Sequence, residues 1–138
     1  MEKIWNVTGN KPNVRANPEV ILNEYAKQLS EDTNQTFRGL VTRVFREDTG
    51  DVTYALYIVT PGLKDYMYRL LEININNLLK YYPLELKLFA KDPKNHQFTV
   101  CDNEIQLRKK LVEFIKSPIT SGILMHLQTL ADIQKSYE

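Results

Sequence analysis

Cys101 lies five positions after His96 and directly before Asp102. A thiol, an imidazole and a carboxylate make a nucleophilic site when the imidazole takes the thiol proton and the carboxylate orients the imidazole. On that chemistry the chain would be a small hydrolase using Cys101 and His96. The surrounding residues favour structural roles. Asp102 and Asn103 stand where a helix needs a cap, Cys101 ends a short strand as a small buried hydrophobe, and His96 falls in a turn. His126, the other of the two histidines, borders an apolar helical stripe with no second ligand at i+4, so no zinc site is expected. Glu47, Asp48 and Asp51 cluster around a hairpin turn, where solvent keeps carboxylates from the separated pKa values of an acid–base pair. The five glycines, at 9, 39, 50, 62 and 122, form no phosphate loop and no nucleophile elbow. No cofactor and no metal are expected, and the chain reads as a non-enzyme.

Two patterns point to binding. Arg38, Arg43 and Arg46 interleave with Phe37 and Phe45, with Tyr54, Tyr57 and Arg69 on neighbouring segments. Arginine and aromatic side chains on an open sheet suit single-stranded nucleic acid, through phosphate contacts and base stacking. The residues do not match the RRM signature, however, and a formal net charge of +1, from 18 basic and 17 acidic residues, argues against bulk electrostatic binding. The second pattern is eight tyrosines, a residue type favoured at protein interfaces for its large area, low entropy cost and polar tip. The reading that follows is a small non-catalytic accessory protein presenting an open sheet face to a protein, a peptide or a second copy of itself. Its candidate contact residues are Tyr54, Tyr57, Tyr66, Tyr68, Arg43 and Arg69.

The elements that must position these residues are largely legible. A chain of 138 residues with 43% hydrophobic and 25% charged residues suits one domain with its own core. Residues 1–16 lack periodicity and read as an arm, pinned at Ile4 and Trp5, ahead of a single α+β domain over 17–138. Asn17 as N-cap and Pro18 at the first helical position open a helix with an apolar stripe of Ile21, Leu22, Tyr25, Ala26 and Leu29. A β-hairpin follows over 36–60. In its first strand Phe37, Val41 and Phe45 share one face, and Leu40 and Val44 share the other with Arg38, Thr42 and Arg46. Val52, Tyr54, Leu56 and Ile58 alternate in the second. Gly39 within a strand signals a bulge or a close backbone approach.

Residues 63–82 fit both a helical stripe and a strand. The tyrosines and β-branched residues favour a strand to about residue 73, with Met67, Leu71, Ile73 and Ile75 on one face, then a short helical or turn segment to Tyr82. Leu84, Leu86 and Leu88 alternate in the next strand. Asp92–Asn95 is a turn, and Gln97–Cys101 returns with Phe98 and Val100 inward. Two helices close the chain. The first is capped by Asp102 or Asn103 and buries Ile105, Leu107, Leu111, Phe114 and Ile115. The second is capped by Ser117, with Ile119, Ile123, Leu127 and Leu130 as its stripe. This order predicts an antiparallel sheet of four to five strands with helices on one face. A single cysteine, no apolar leader at the N-terminus and no apolar run near ~20 residues suggest a reduced, cytoplasmic protein without membrane association.

Overall fold

The computed structural model describes residues 17–76, 78–90, 92, 94 and 96–137. The predicted arm over 1–16 lies outside the described residues, as do Pro93 and Asn95 of the predicted turn. The elements are α1 (Pro18–Asp32), β1 (Arg38–Phe45), β2 (Val52–Thr60), a 3-10 turn (Pro61–Leu63), β3 (Tyr66–Ile75), β4 (Leu84–Leu88), β5 (Gln97–Cys101), α2 (Glu104–Ile115) and α3 (Pro118–Ser136). The strands form one antiparallel sheet in the order β1-β2-β3-β4-β5. One N-terminal helix, a five-stranded meander and two C-terminal helices are the α+β architecture expected.

The helices start at side-chain caps. Asn17 Oδ1 accepts from the Glu19 amide at 2.9 Å, and Asn103 Oδ1 accepts from the Gln106 amide at 2.9 Å. Ser117 Oγ accepts from the Thr120 amide at 3.4 Å. Each cap satisfies a backbone donor that has no partner within its own helix. Arg108 then bridges Glu104 on its own helix, at 3.2 Å, and Glu24 on α1, at 3.0 Å, which ties α2 to α1.

The pleat sorts side chains between the two faces of the sheet. Val52, Tyr54, Leu56 and Ile58 of β2 pair in register with Ile75, Ile73, Leu71 and Tyr68 of β3. Leu84, Leu86 and Leu88 continue that face through β4. On it they meet Ile21 and Leu22 of α1, Leu107, Leu111 and Phe114 of α2, and Ile123 and Leu127 of α3 in one core. The α1 backbone comes very close to β1: a Cβ on Gly39 would lie 2.4 Å from Ala26 Cα. Gly39 therefore marks a close approach, the second of the two readings its position allowed. Ser30 fastens the contact, its hydroxyl accepting from the Gly39 amide at 3.2 Å and donating to the Ala26 carbonyl at 3.2 Å.

The structure departs from the sequence reading in four places. β3 extends to Ile75 rather than to about residue 73, and of the two readings for the following segment Leu78 and Leu79 take the turn. Leu56 pairs with Leu71 while Tyr57 pairs with Arg69, so Leu70 is an extra residue in β3. This bulge reverses the alternation and turns Met67 to the face opposite Leu71, Ile73 and Ile75. Phe98 and Val100 point outward, 70% and 59% exposed, because Leu88, Leu86 and Leu84 pair with Gln97, Thr99 and Cys101 and fix those three toward the core. Ile105 is 79% exposed. Two residues from Leu107, it lies about 200° around the helix from the buried stripe.

Candidate functional site

Apart from the core, the sheet has a second face that no described helix covers. It carries Leu40 and Val44 from β1, Tyr57 from β2, Met67 and Arg69 from β3, Lys87 from β4, and Phe98 and Val100 from β5. Leu40, Val44, Met67, Phe98 and Val100 are all exposed. Five large apolar side chains spread over three strands exceed the scattered single hydrophobics of an ordinary surface.

Two cation–aromatic clusters order this face. Arg69 donates from Nε and Nη2 to Tyr57 Oη at 3.0 and 2.7 Å, with its guanidinium carbon 5.3 Å from the centre of the Tyr57 ring. Its Nη1 bonds the Glu72 carboxylate. Lys87 Nζ lies 4.8 Å from the Phe89 ring and 5.0 Å from the Phe98 ring. Both clusters hold flat aromatic surface in place at little entropy cost on binding.

Of the six predicted contact residues, the structure brings only Tyr57 and Arg69 together on the uncovered face. Tyr54 points to the opposite side and is 3% exposed, a core residue. Burial and the neighbouring Glu19 push its hydroxyl up from the usual tyrosine range. Arg43, paired with Tyr54 in the β1–β2 register, shares that side and contacts Glu19 of α1 at 3.5 Å. Tyr66 and Tyr68 share a face, but it is the helix side. Tyr68 packs against the core, and both line a cleft beside α3. Alternation separates the faces of the first hairpin and sets Tyr54 and Arg43 opposite Tyr57, so these three could not form one contact surface; the bulge at Leu70 and the register of β5 carry no such signal. The outward Met67, Phe98 and Val100 were therefore missed.

The cysteine and histidine of the nucleophilic reading do not meet. They stand at opposite ends of β5, roughly 16 Å apart at about 3.3 Å per residue. Cys101 is buried, and its burial pushes the thiol above its ordinary range, the reverse of what activates a nucleophile. His96 Nε2 donates to the Ala90 carbonyl at 3.0 Å, and its ring meets Phe89 edge-on with centroids 5.0 Å apart. Asn103, not Asp102, caps α2. Among the described residues no cluster of metal-ligating side chains forms, and no helix is long and apolar enough to cross a membrane.

No protein-family model, curated protein or solved structure matches this chain.

Proposed function

We propose that the protein is a non-catalytic binding module that docks a protein partner on its uncovered sheet face. The observation that carries this reading is the exposure of Leu40, Val44, Met67, Phe98 and Val100 together on one face, around the ordered Tyr57–Arg69 pair. A centre of apolar and aromatic side chains with arginine is the composition that protein interfaces favour. The reading also fits the remaining chemistry. The one thiol is buried and does not meet His96, and Arg69 is already engaged by Tyr57 and Glu72 rather than free for phosphate. A single free thiol suits a reducing, intracellular setting.

The test compares wild-type protein with a Met67→Lys/Phe98→Ser variant in pull-downs from native lysate, with and without nuclease, and in sedimentation over a range of concentrations. Both positions are exposed, so the variant should melt within about 2 °C of wild type, as surface changes rarely exceed ~0.5 kcal/mol. A nuclease-resistant protein captured stoichiometrically by wild type and lost by the variant supports the reading. A concentration-dependent dimer lost in the variant supports it with a second copy as the partner. Identical capture by both proteins, or capture that vanishes with nuclease, overturns it.

A further inference from the structure

The sheet is incomplete along one edge, and a cleft occupies the gap. β4 pairs with β3 only from Leu71 to Asn74. Beyond a single bond from the Phe89 amide to the Leu70 carbonyl, at 3.0 Å, the chain leaves the sheet. The first part of β3, Tyr66 to Arg69, therefore has no strand on that side among the described residues. Next to this free edge lies a cleft of about 610 Å³, within the roughly 300–1,000 Å³ range of small-ligand sites. Leu63, Ile123, Leu127 and Leu130 give it apolar walls, and Phe89 and Ala90 close it from the β4–β5 connection.

Its polar groups are of one kind. Tyr66, Tyr68, Arg69, His96 and His126 line it, and no described lining residue is a carboxylate, in a chain with 17 acidic residues. Both histidines of the chain converge here from elements 30 residues apart in sequence. The Tyr66 and Tyr68 hydroxyls and the His126 ring have no hydrogen-bond partner among the described residues. Among the described residues His96 engages only Nε2, with the Ala90 carbonyl, and Nδ1 meets no partner. Each of these groups can donate a hydrogen bond, the imidazoles as cations. Groups that donate to an anion, set around an apolar floor with no competing carboxylate, are complementary to an amphipathic acid.

We propose that this cleft is a binding site for a small carboxylic acid with an apolar body. The body rests on Leu63, Ile123, Leu127 and Leu130, and the carboxylate meets the Tyr66 and Tyr68 hydroxyls and the two imidazoles. The cleft borders the uncovered sheet face, sharing Arg69 and Phe89 with it, but its tyrosines and the α3 residues lie on the helix side of the sheet.

Because the chain has only two histidines and both line the cleft, their imidazole NMR signals report on this site alone, and a His126→Gln variant assigns them. The probes are phenylbutyrate and its uncharged twin phenylbutyramide, which share the apolar body and differ in the head group. Phenylbutyrate should shift both imidazole signals saturably and bind about tenfold more tightly than the amide, the discrimination a charge-assisted hydrogen bond provides. Tyr68→Phe, which keeps the ring that packs on the core, should weaken phenylbutyrate several-fold and leave the amide unchanged. Met67→Lys/Phe98→Ser should leave both affinities unchanged, so that failure here and failure of the sheet-face reading are told apart. Equal affinity for acid and amide, saturation without movement of the imidazole signals, or no binding of either probe overturns the proposal.

Discussion

Thr60 and Thr120 are both buried, yet their hydroxyls are treated differently by the fold. Thr120 Oγ1 donates to the Phe114 carbonyl at 2.6 Å, across the junction of α2 and α3. Thr60 Oγ1, at the end of β2, has no partner among the described residues. A buried polar atom without a partner has lost its water and gained nothing in exchange, a deficit of about 1–3 kcal/mol. Valine has nearly the shape of threonine and lacks the hydroxyl, so the same substitution should have opposite signs at the two sites. Thr60→Val should stabilise by about 1 kcal/mol, raising the melting temperature by about 4 °C. Thr120→Val should cost about 1 kcal/mol. Urea unfolding of the two variants beside wild type checks this, and a destabilised Thr60→Val would show that the hydroxyl is satisfied after all.

Between elements, the contact of α1 with β1 has the least room for change. A Cβ on Gly39 would meet Ala26 Cα, carbonyl oxygen and Cβ at 2.4, 2.5 and 2.6 Å. Two of these are backbone atoms, so relief requires the helix to lift and the Ser30 hydrogen bonds to break. Gly39→Ala should therefore cost about 2–3 kcal/mol. Gly122→Ala is the control. Its Cβ would meet nothing within 4 Å among the described residues, on a helix interior, so it should gain about 0.5–1 kcal/mol. Equal effects in thermal melts would mean that α1 does not sit this tightly on the sheet. Gly39 also shows how far residue types alone can be read. A glycine among β-formers announced a bulge or a close approach, and caps at Asn17, at Asp102 or Asn103, and at Ser117 announced where helices begin, because each signal is local. The faces of β1 and β2 followed from simple alternation. What stayed hidden depends on partners distant in sequence. Leu70 becomes a bulge only against Leu56 and Tyr57, and Phe98 turns outward only because the leucines of β4 claim the inward positions across the ladder. The convergence of His96 and His126 on one cleft arises only once α3 lies beside the free edge of β3. A site assembled from three elements leaves no spacing in the chain to recognise.

Across the whole molecule, the buried acids share one direction of shift. Tyr54, Tyr68, Tyr82 and Cys101 are all pushed up chiefly by burial, Tyr82 to about 12. In the unfolded chain the thiol titrates near 9.0 and the tyrosines near 10.0. Above those values the unfolded state gives up protons that the folded state still holds. With fewer protons bound in the unfolded state, stability falls as pH rises. Below about pH 9 all four groups are protonated in both states and contribute no slope. The fall begins with Cys101 near 9, deepens from 10 as the tyrosines join, and for Tyr82 ends near 12. Growing net negative charge adds a background loss over the same range, so the decisive comparison is a slope rather than a single melting temperature. Tyr82→Phe keeps the half-buried ring and removes the titrating hydroxyl. Its loss of stability between pH 10 and 12 should be smaller than that of wild type by about 1 kcal/mol, discounted for the ring's partial exposure. Urea midpoints at pH 8 should show no difference in slope between the two proteins. Parallel alkaline curves for wild type and Tyr82→Phe would mean that the Tyr82 hydroxyl titrates alike in the folded and unfolded chain, and that the other buried acids and repulsion among surface charges drive the alkaline loss.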